Sequence, residues 1–374
     1  MAQKIGICTG GGDAPGLNAV IRAFVKHGVR HHDWEIVGIE DSFNGLLSEP
    51  MRLQRLDLQS CKGLLHRGGT VLGTTNRGDP FAFPGEGGAL TDRSGQLAAA
   101  VESLGLEGIV VVGGDGTQAI ALRLMEERGV PVVGVPKTID NDLSATDLTF
   151  GFMSAVEVAT EALDRLHTTA ESHDRVFFLE VMGRDAGHIA LSAGIAGGAD
   201  VILIPEIPYD PARVADKIQV RQALGRPFSI VVVAEGALPL GSGDDRAERR
   251  HRLARAGGAA ALAKAQLEGR IQAEMRCCVL GHLQRGGSPV AFDRILATRF
   301  GVGAAELVAA SRWGEMVCLR DGAITAVPIR RAVTQRLVDP AGQLVHAAAA
   351  TGVELGAEVL GRSWGLLAAS DQNL

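Results

Sequence analysis

"GIVVVGGDGT", residues 108–117, sets the fold class. Four β-branched residues run from Ile109 to Val112 with no polar interruption, and a glycine–acid turn follows. A short apolar run without alternation predicts a strand buried on both faces, as in a parallel sheet. The same pattern recurs in "KIGICTGGGDAPG" (4–16), "VPVVGVPKTIDND" (130–142), "VFFLEVMGRDAGH" (176–188), "DVILIPE" (200–206), "SIVVVAEGA" (229–237) and "CCVLGHLQRGG" (277–287). Stretches with helical spacing, such as "LNAVIRAFVKHGV" and "SAVEVATEALDRL", lie between them. Strand–helix alternation predicts an α/β doubly wound architecture. Such sheets bind ligands at the carboxyl ends of their strands. Asp13, Asp115, Asp140, Arg184, Glu235, His282 and Arg285 all fall at those expected ends.

Composition narrows the function classes. Glycine makes up 49 of 374 residues, about 13%, against a usual value of roughly 7%. That excess fits tight turns and close approach of backbone to ligand. Aromatics are 4% and net charge is −6, so neither base stacking nor a basic footprint supports nucleic-acid binding. Five cysteines, Cys8, Cys61, Cys277, Cys278 and Cys318, form no CxxC pair. They read as buried, reduced thiols of a cytoplasmic protein. No apolar stretch approaches membrane-span length, and no signal segment is evident.

Three glycine or acid turns carry the expected chemistry. In "TGGGDAPGLN", successive glycines including Gly12 expose backbone N–H groups at a helix start, which suits an anion. The spacing is that of a P-loop, but Leu17 and Asn18 stand where Lys-Ser/Thr is required. An empty strand–helix turn is the competing reading. "GGDGTQA" matches a weak dinucleotide fingerprint, yet a carboxylate inside the turn would repel a pyrophosphate. Asp115 therefore reads as a magnesium holder, with a helix-capping aspartate as the alternative. In "PKTIDND" (136–142), Lys137 and Thr138 suit phosphate oxygens, Asp140 suits a base and Asp142 a supporting or substrate-binding acid. An Asx-rich turn explains the acids but not their neighbours. Arg175, Arg184, His282, Arg285 and Glu235 add groups suited to a sugar phosphate. No GxSxG elbow or HExxH pair occurs.

In combination and in this order, "TGGGDAPGLNAVIR", "RGGTVLGT", "GGDGT", "PKTIDND", "EVMGR" and "GHLQRGGSPVAFDR" resemble the phosphofructokinase family over residues 4–330. The resemblance implies two Rossmann-like α/β/α lobes with mostly parallel sheets and an active site in the cleft between them. It divides the chain into a donor lobe of residues 1–150 plus about 285–335 and an acceptor lobe of 151–284. Residues 336–374 extend beyond the short bacterial enzymes of the family; from about Val333 the sequence itself reads as helix, a break at Pro340 and helix, a C-terminal helical extension. The resemblance also implies phosphoryl transfer from Mg²⁺-ATP to the 1-hydroxyl of fructose 6-phosphate, in a cytoplasmic glycolytic homotetramer, with a dimer as the alternative. Asp140 would be the base and Asp115 the metal holder. Gly12, Gly114, Asp115, Gly116 and Thr117 would line the donor site. Thr138, Asp140, Asp142, Met182, Gly183, Arg184, Glu235, His282 and Arg285 would contact the sugar phosphate. Arg175 and Arg276 would reach the sugar phosphate of a neighbouring subunit.

The chain also departs from the family's pattern. Pyrophosphate-using members carry lysine at the position of Lys137 but aspartate at that of Gly116, whereas the familiar ATP enzymes carry glycine at both. Gly116 leaves room for a nucleotide's α-phosphate and favours ATP; ADP and pyrophosphate are the alternatives. A donor-site arginine aligns with Asn76, and Arg77 beside it is the candidate replacement. An effector pocket rich in basic residues becomes Arg22, Lys26, His167 and Leu58, which puts regulation by ADP and phosphoenolpyruvate in doubt. A kinase for another acceptor, an idle regulatory subunit and a dehydrogenase remain the contrasting readings.

Overall fold

The computed structural model describes residues 3–85, 88–243 and 245–359. These fold into two compact units, one from the described residues up to 154 with 285–336 and one from those of 155–284 with 337–359. In chain order the first unit opens with β1 (Lys4–Thr9), α1 (Leu17–His32), β2 (Glu35–Ile39), α2 (Asn44–Leu47) and β3 (Leu53–Leu56). A small hairpin, β4 (Phe83–Pro84) and β5 (Leu90–Thr91), precedes α3 (Ser94–Ser103), β6 (Gly108–Gly113), α4 (Asp115–Arg128) and β7 (Val132–Pro136). The second unit begins within α5 (Phe152–Ser172) and continues through β8 (Val176–Val181), α6 (His188–Ala196), β9 (Val201–Leu203) and α7 (Pro211–Ala223). Then come β10 (Ser229–Ala234), α8 (Arg246–Ala256), α9 (Ala259–Leu267) and β11 (Met275–Val279). The chain returns to the first unit for α10 (Ala291–Ala309), β12 (Glu315–Arg320) and β13 (Ala323–Pro328), and ends in the second with α11 (Gln343–Ala350).

The sheet of the first unit has the order β13-β12-β7-β6-β1-β2-β3, parallel except at β3 and β13, its two edges. Both faces are covered, which is why the central strands carry no alternation. Val110, Val112, Val133 and Val135 face Leu17, Ile21 and Phe24 of α1 together with Leu296 and Phe300 of α10. Ile109, Val111 and Val132 face Leu97 and Val101 of α3 and Ala121 and Leu124 of α4. A Cβ on Gly301 of α10 would lie 2.6 Å from the carbonyl oxygen of Val20, so this glycine sets how closely α1 and α10 approach. In the second unit β11-β8-β10-β9 are all parallel. Val214 and Ile218 of α7 and Ala260 and Ala263 of α9 bury Phe178, Val231 and Val233.

Two sequence expectations are corrected. The stretch from Val333 to Pro340 forms no helix, so the only helix in the described part of the C-terminal segment is α11. Pro340 does not break a helix; it precedes the one that forms. This segment, up to residue 359, packs on the second unit: the Val338 amide donates to Glu206, the Glu354 amide to the Asp200 carbonyl and the Ile202 amide to the Glu354 carbonyl. Residues 360–374 of the expected extension lie outside the described residues. Of the cysteines, Cys8, Cys61 and Cys318 are buried, but Cys277 and Cys278 are exposed because β11 is an edge strand. Among the described residues no helix is long and apolar enough to cross a membrane.

Candidate active site

The order of strands reverses at β1 in the first unit: β2 and β3 lie to one side, and β6, β7 and β12 to the other. A crevice outside the carboxyl ends is expected at such a switch point. Thr9 pairs with Val112, and Gly113 with Pro136, so the turns after β1, β6 and β7 stand side by side. "GGGD", "GDGT" and "KTIDND", far apart in sequence, are brought together by register alone.

The first two turns interlock. A Cβ on Gly10 would lie 2.7 Å from Thr117 Cγ2, and one on Gly113 would lie 2.4 Å from Thr117 Cβ. The glycines therefore make room for Thr117, which is buried. Gly114 caps α4 without a side-chain bond, and Asp115 is the first residue of the helix rather than its cap. A Cβ on Gly116 would meet nothing within 4 Å. The Arg285 guanidinium crosses the first turn: Nη1 donates to the Asp13 carbonyl at 3.0 Å, and a Cβ on Gly12 would lie 2.7 Å from that nitrogen. The sequence grouped Arg285 with its neighbour His282; its head group lies instead among the donor-turn residues. Asn76 and Arg77 border the same turn, where the Gly11 amide donates to the Thr75 carbonyl and the Arg77 amide to Thr75 Oγ1.

The third turn holds two buried acids and a buried cation. Lys137, Thr138, Asp140 and Asp142 are each less than a tenth exposed. Lys137 Nζ donates to the Gly12 carbonyl across 125 residues of chain. Burial, reinforced by the positive charge of Arg285, lowers its pKa from 10.5 to about 8, against the opposing pull of Asp140, Asp13 and Asp115. The Asp140 amide donates to Thr138 Oγ1 at 3.0 Å. Burial raises the pKa of Asp142, and the negative charge of Asp115 raises it further. Asn141 adopts a left-handed conformation, φ 53°, and its Oδ1 accepts from the Thr149 amide. That amide side chain is part of the turn's scaffold rather than a ligand group.

The negative charge of Asp115 disfavours that of Asp142, which a divalent cation would relieve. Among the described residues no cluster of three or more His, Cys, Asp or Glu forms a ready-made cage. The donor set instead suits magnesium, which keeps waters and binds through one or two carboxylates plus substrate phosphates.

The second unit carries the other candidates in two groups. Met182, Gly183 and Arg184 follow β8 and Glu235 follows β10, side by side because Val181 pairs with Ala234. Gly183 has φ 144° and Arg184 φ 54°; a side chain at 183 would lie 2.3 Å from the Ala186 carbonyl. Glu235 Oε1 accepts from the Arg184 amide at 2.7 Å and the Gly183 amide at 3.3 Å, pinning this strained turn. The exposed His282 follows β11. Arg175 and Arg276 lie at the opposite, amino ends of β8 and β11, both paired with Glu274. The strand between Arg175 and Met182 spans roughly 20 Å, so these arginines do not share a sugar-phosphate-sized ligand with Arg184 in one copy of this unit.

Several supporting residues escaped the sequence reading. Arg336 donates to the Thr146 and Asn141 carbonyls at 2.9 Å, and Gln335 to Asp142 at 3.1 Å. Gln284, fully buried, accepts from the Met182 amide at 2.8 Å. Asn18, at the failed Walker position, is buried and binds the 67–71 loop through Arg67, Gly68 and Val71. The two Arg-Gly-Gly stretches, 67–69 and 285–287, touch: Ser288 Oγ donates to the His66 carbonyl, and a Cβ on Gly68 would lie 2.0 Å from the Gly287 carbonyl oxygen. A polar residue inside an otherwise apolar or glycine-rich run was the available signal for Asn18 and Gln284.

Comparison with known proteins gives these features a context. The Phosphofructokinase family profile matches residues 4–308. An ATP-dependent 6-phosphofructokinase of Chloroflexus aurantiacus is 51% identical over 96% of this chain and 99% of its own length. A pyrophosphate–fructose 6-phosphate 1-phosphotransferase of Streptomyces coelicolor is 49% identical over 91% of this chain and 97% of its own. The solved phosphofructokinase of Saccharomyces cerevisiae is similar at TM-score 0.75 and 30% identity; the match covers 94% of this chain and 46% of the yeast chain. Sequence profile, full-length relatives and solved fold agree, and the protein belongs to the phosphofructokinase family.

Proposed function

We propose that the protein is an ATP-dependent 6-phosphofructokinase, a cytoplasmic glycolytic phosphotransferase that converts fructose 6-phosphate to fructose 1,6-bisphosphate. The observation that carries this reading is the convergence of three turns, Gly10–Asp13, Gly114–Thr117 and Lys137–Asp142, at the switch point of one sheet. Phosphoryl transfer is almost entirely positioning and charge stabilisation, and those turns hold backbone amides, a buried ammonium and acids together.

Asp140 takes the proton of the acceptor's 1-hydroxyl as that oxygen attacks the donor's terminal phosphorus. Thr138 orients it through the bond between its hydroxyl and the Asp140 amide. Lys137 and Arg285 neutralise phosphate oxygens at the first turn, where Gly12 lets them approach the backbone. Gly114, Gly116, Thr117, Asn76 and Arg77 border the donor. Asp115, with Asp142 nearby, would hold magnesium, which would supply further neutralisation of donor phosphates. In the second unit Met182, Gly183, Arg184, Glu235 and His282 take the sugar phosphate. Arg175 and Arg276 serve the sugar phosphate of a neighbouring copy, which makes the working enzyme an oligomer, a homotetramer by family likeness.

The donor rests on Gly116. Relatives of nearly equal identity carry names with different donors, so overall similarity does not choose between them. Open space at Gly116 accommodates a nucleotide, and an aspartate there would repel its α-phosphate. Initial rates with fructose 6-phosphate and Mg²⁺, run with ATP, ADP and pyrophosphate, test this. Turnover with ATP supports it; turnover with pyrophosphate alone makes Lys137 the dominant determinant and refutes the argument from Gly116.

A further inference from the structure

The segment from Leu337 onward carries no motif in sequence, yet the second unit is built around it. β9 is the outer strand of that unit's sheet, and the chain returns to cover its free edge. There the Glu354 amide donates to the Asp200 carbonyl at 3.0 Å and the Ile202 amide to the Glu354 carbonyl at 2.9 Å. Farther on, the Asp210 amide donates to the Gly356 carbonyl at 2.7 Å. Between Val338 and Glu354, α11 buries Val345 and Ala348 and packs on α6. An open strand edge invites unwanted pairing, so protection alone explains these contacts. It does not explain the contact of Val338, which precedes α11 in the chain and reaches a side chain rather than a strand edge.

That side chain is Glu206. Ile204, Pro205, Glu206 and Ile207 form a tight turn after β9, closed by the Ile207 amide on the Ile204 carbonyl at 3.3 Å, with proline at the position such turns favour. Glu206 Oε1 accepts from the Val338 amide at 2.8 Å and from the Gly187 amide at 2.9 Å, and Oε2 accepts from the same Gly187 amide at 3.1 Å. Burial raises the pKa of Glu206, and those two amides oppose the rise. A carboxylate kept largely out of water needs both donors. Gly187 joins the Met182–Ala186 turn to α6. A Cβ on it would lie 2.4 Å from Ile204 Cβ and 2.8 Å from Glu206 Oε2, so only glycine lets this amide come so close. Two carboxylates thus hold the two ends of one strained turn: Glu235 takes the Gly183 and Arg184 amides at its start, and Glu206 takes the Gly187 amide at its end.

We propose that residues 337–359 form an internal brace for this turn, and that Glu206 is the positioning residue through which the brace acts. The Val338 amide holds the carboxylate, the carboxylate holds Gly187, and Arg184 is thereby kept in the conformation that meets the acceptor. Neither Val338 nor Glu206 takes part in the chemistry. Arg184 has φ 54°, a conformation that persists only where its surroundings over-determine it. Fixing it before the substrate arrives removes an ordering step from binding, so the brace is expressed in acceptor affinity. The inference rests on the acceptor role assigned above to Gly183 and Arg184.

Three full-length variants test it. E206Q keeps the shape of the side chain and one acceptor oxygen, V338P removes the amide hydrogen that Glu206 accepts, and the third combines them. In each single variant the KM for fructose 6-phosphate should rise about 10- to 100-fold, the worth of one charge-assisted hydrogen bond. The kcat should change by less than about threefold and the ATP KM should not move. The double variant should be no worse than the larger single one, because Val338 acts through Glu206. Additive effects, an unmoved acceptor KM, or a kcat that falls in step with affinity for both substrates overturns the proposal. The second measurement needs no turnover and no V338P protein. Amide hydrogen exchange in residues 183–187 should quicken about tenfold or more in E206Q, while β10 keeps its wild-type rates. Unchanged exchange in that turn overturns the brace. A wild type inert toward fructose 6-phosphate, with exchange quickened in E206Q, keeps the brace and refutes the function proposed above.

Discussion

Lys137 gives the sharpest prediction. Its ammonium is buried and bound to the Gly12 carbonyl, and burial with Arg285 brings its pKa from 10.5 to about 8. At pH 7 such a group is about 90% charged and at pH 9 about 10% charged. If the charged form binds a donor phosphate, kcat/KM for ATP should fall roughly tenfold between pH 7 and 9, because that parameter reports the free enzyme. The donor is not the source of this change, since a terminal phosphate completes its ionisation near pH 6. Lys137→Met should lower kcat/KM at pH 7 by about 10- to 100-fold, the worth of one charge-assisted hydrogen bond, and flatten the profile above pH 7. The same group has an opposite signature in stability. Between pH 8 and 10.5 the unfolded chain holds a proton that the folded chain lacks, so its cost, present in full below pH 8, disappears as pH rises. That cost is about 3 kcal/mol at 1.36 kcal/mol per pH unit. The assay is a kcat/KM profile from pH 6.5 to 9.5 for both proteins. A flat wild-type profile, or an inflection near pH 8 that survives in Lys137→Met, refutes the role.

Asp140→Asn should lower kcat by about 10²- to 10⁴-fold, the usual worth of a general base, with little change in the KM for fructose 6-phosphate; retained kcat removes Asp140 from that role. Gly116→Asp should fold normally, because its side chain enters open space at a helix N-terminus where an acid is favoured. It should cost at least tenfold in kcat/KM for ATP while sparing any pyrophosphate activity, and an ATP rate within twofold of wild type would contradict the donor argument. Arg276→Ala should raise the KM for fructose 6-phosphate with the melting temperature unchanged, and an unmoved KM rejects its assignment. Arg336→Met leaves the Asn141 and Thr146 carbonyls without a donor, each worth about 1–3 kcal/mol when buried. Faster amide exchange in residues 138–149 is the expected result, and unchanged exchange shows that Arg336 does not hold the turn.

The parallel core strands were legible because strands covered on both faces are written as short apolar runs ending in a glycine or polar turn: β6 and β10 carry Ile-Val-Val-Val, and β1, β7 and β8 are buried apolar runs that admit a single glycine or Glu180. β2 was not, since it opens on the exposed Glu35 and leaves only Ile36, Val37 and Ile39 to carry the pattern, nor was β13, an edge strand with no fully buried residue. The glycine and acid turns announced themselves for a similar reason, as small or charged residues directly after apolar runs. What holds those turns is scattered. Arg336 reaches Asn141 from 195 residues away, and Arg285 reaches Asp13 from 272 residues away. Such pairings depend on which strands become neighbours, and no local pattern encodes that. Arg285 shows the limit best: its sequence neighbours His282 and Gln284 belong to the second unit, while its own head group lies in the first.

The discontinuous course of the chain also sets the order in which a ribosome can complete the two sheets. All four strands of the second sheet have been made once Val279 is added. The first sheet, begun at Lys4, still lacks β12 and β13, and α1 still lacks the apolar face of α10. Until Leu296, Phe300 and Leu307 appear, Ile21 and Phe24 have no partner helix on that side. The sheet that begins first is therefore the one completed last, with an apolar helix face open to chaperones or to other nascent chains through most of synthesis.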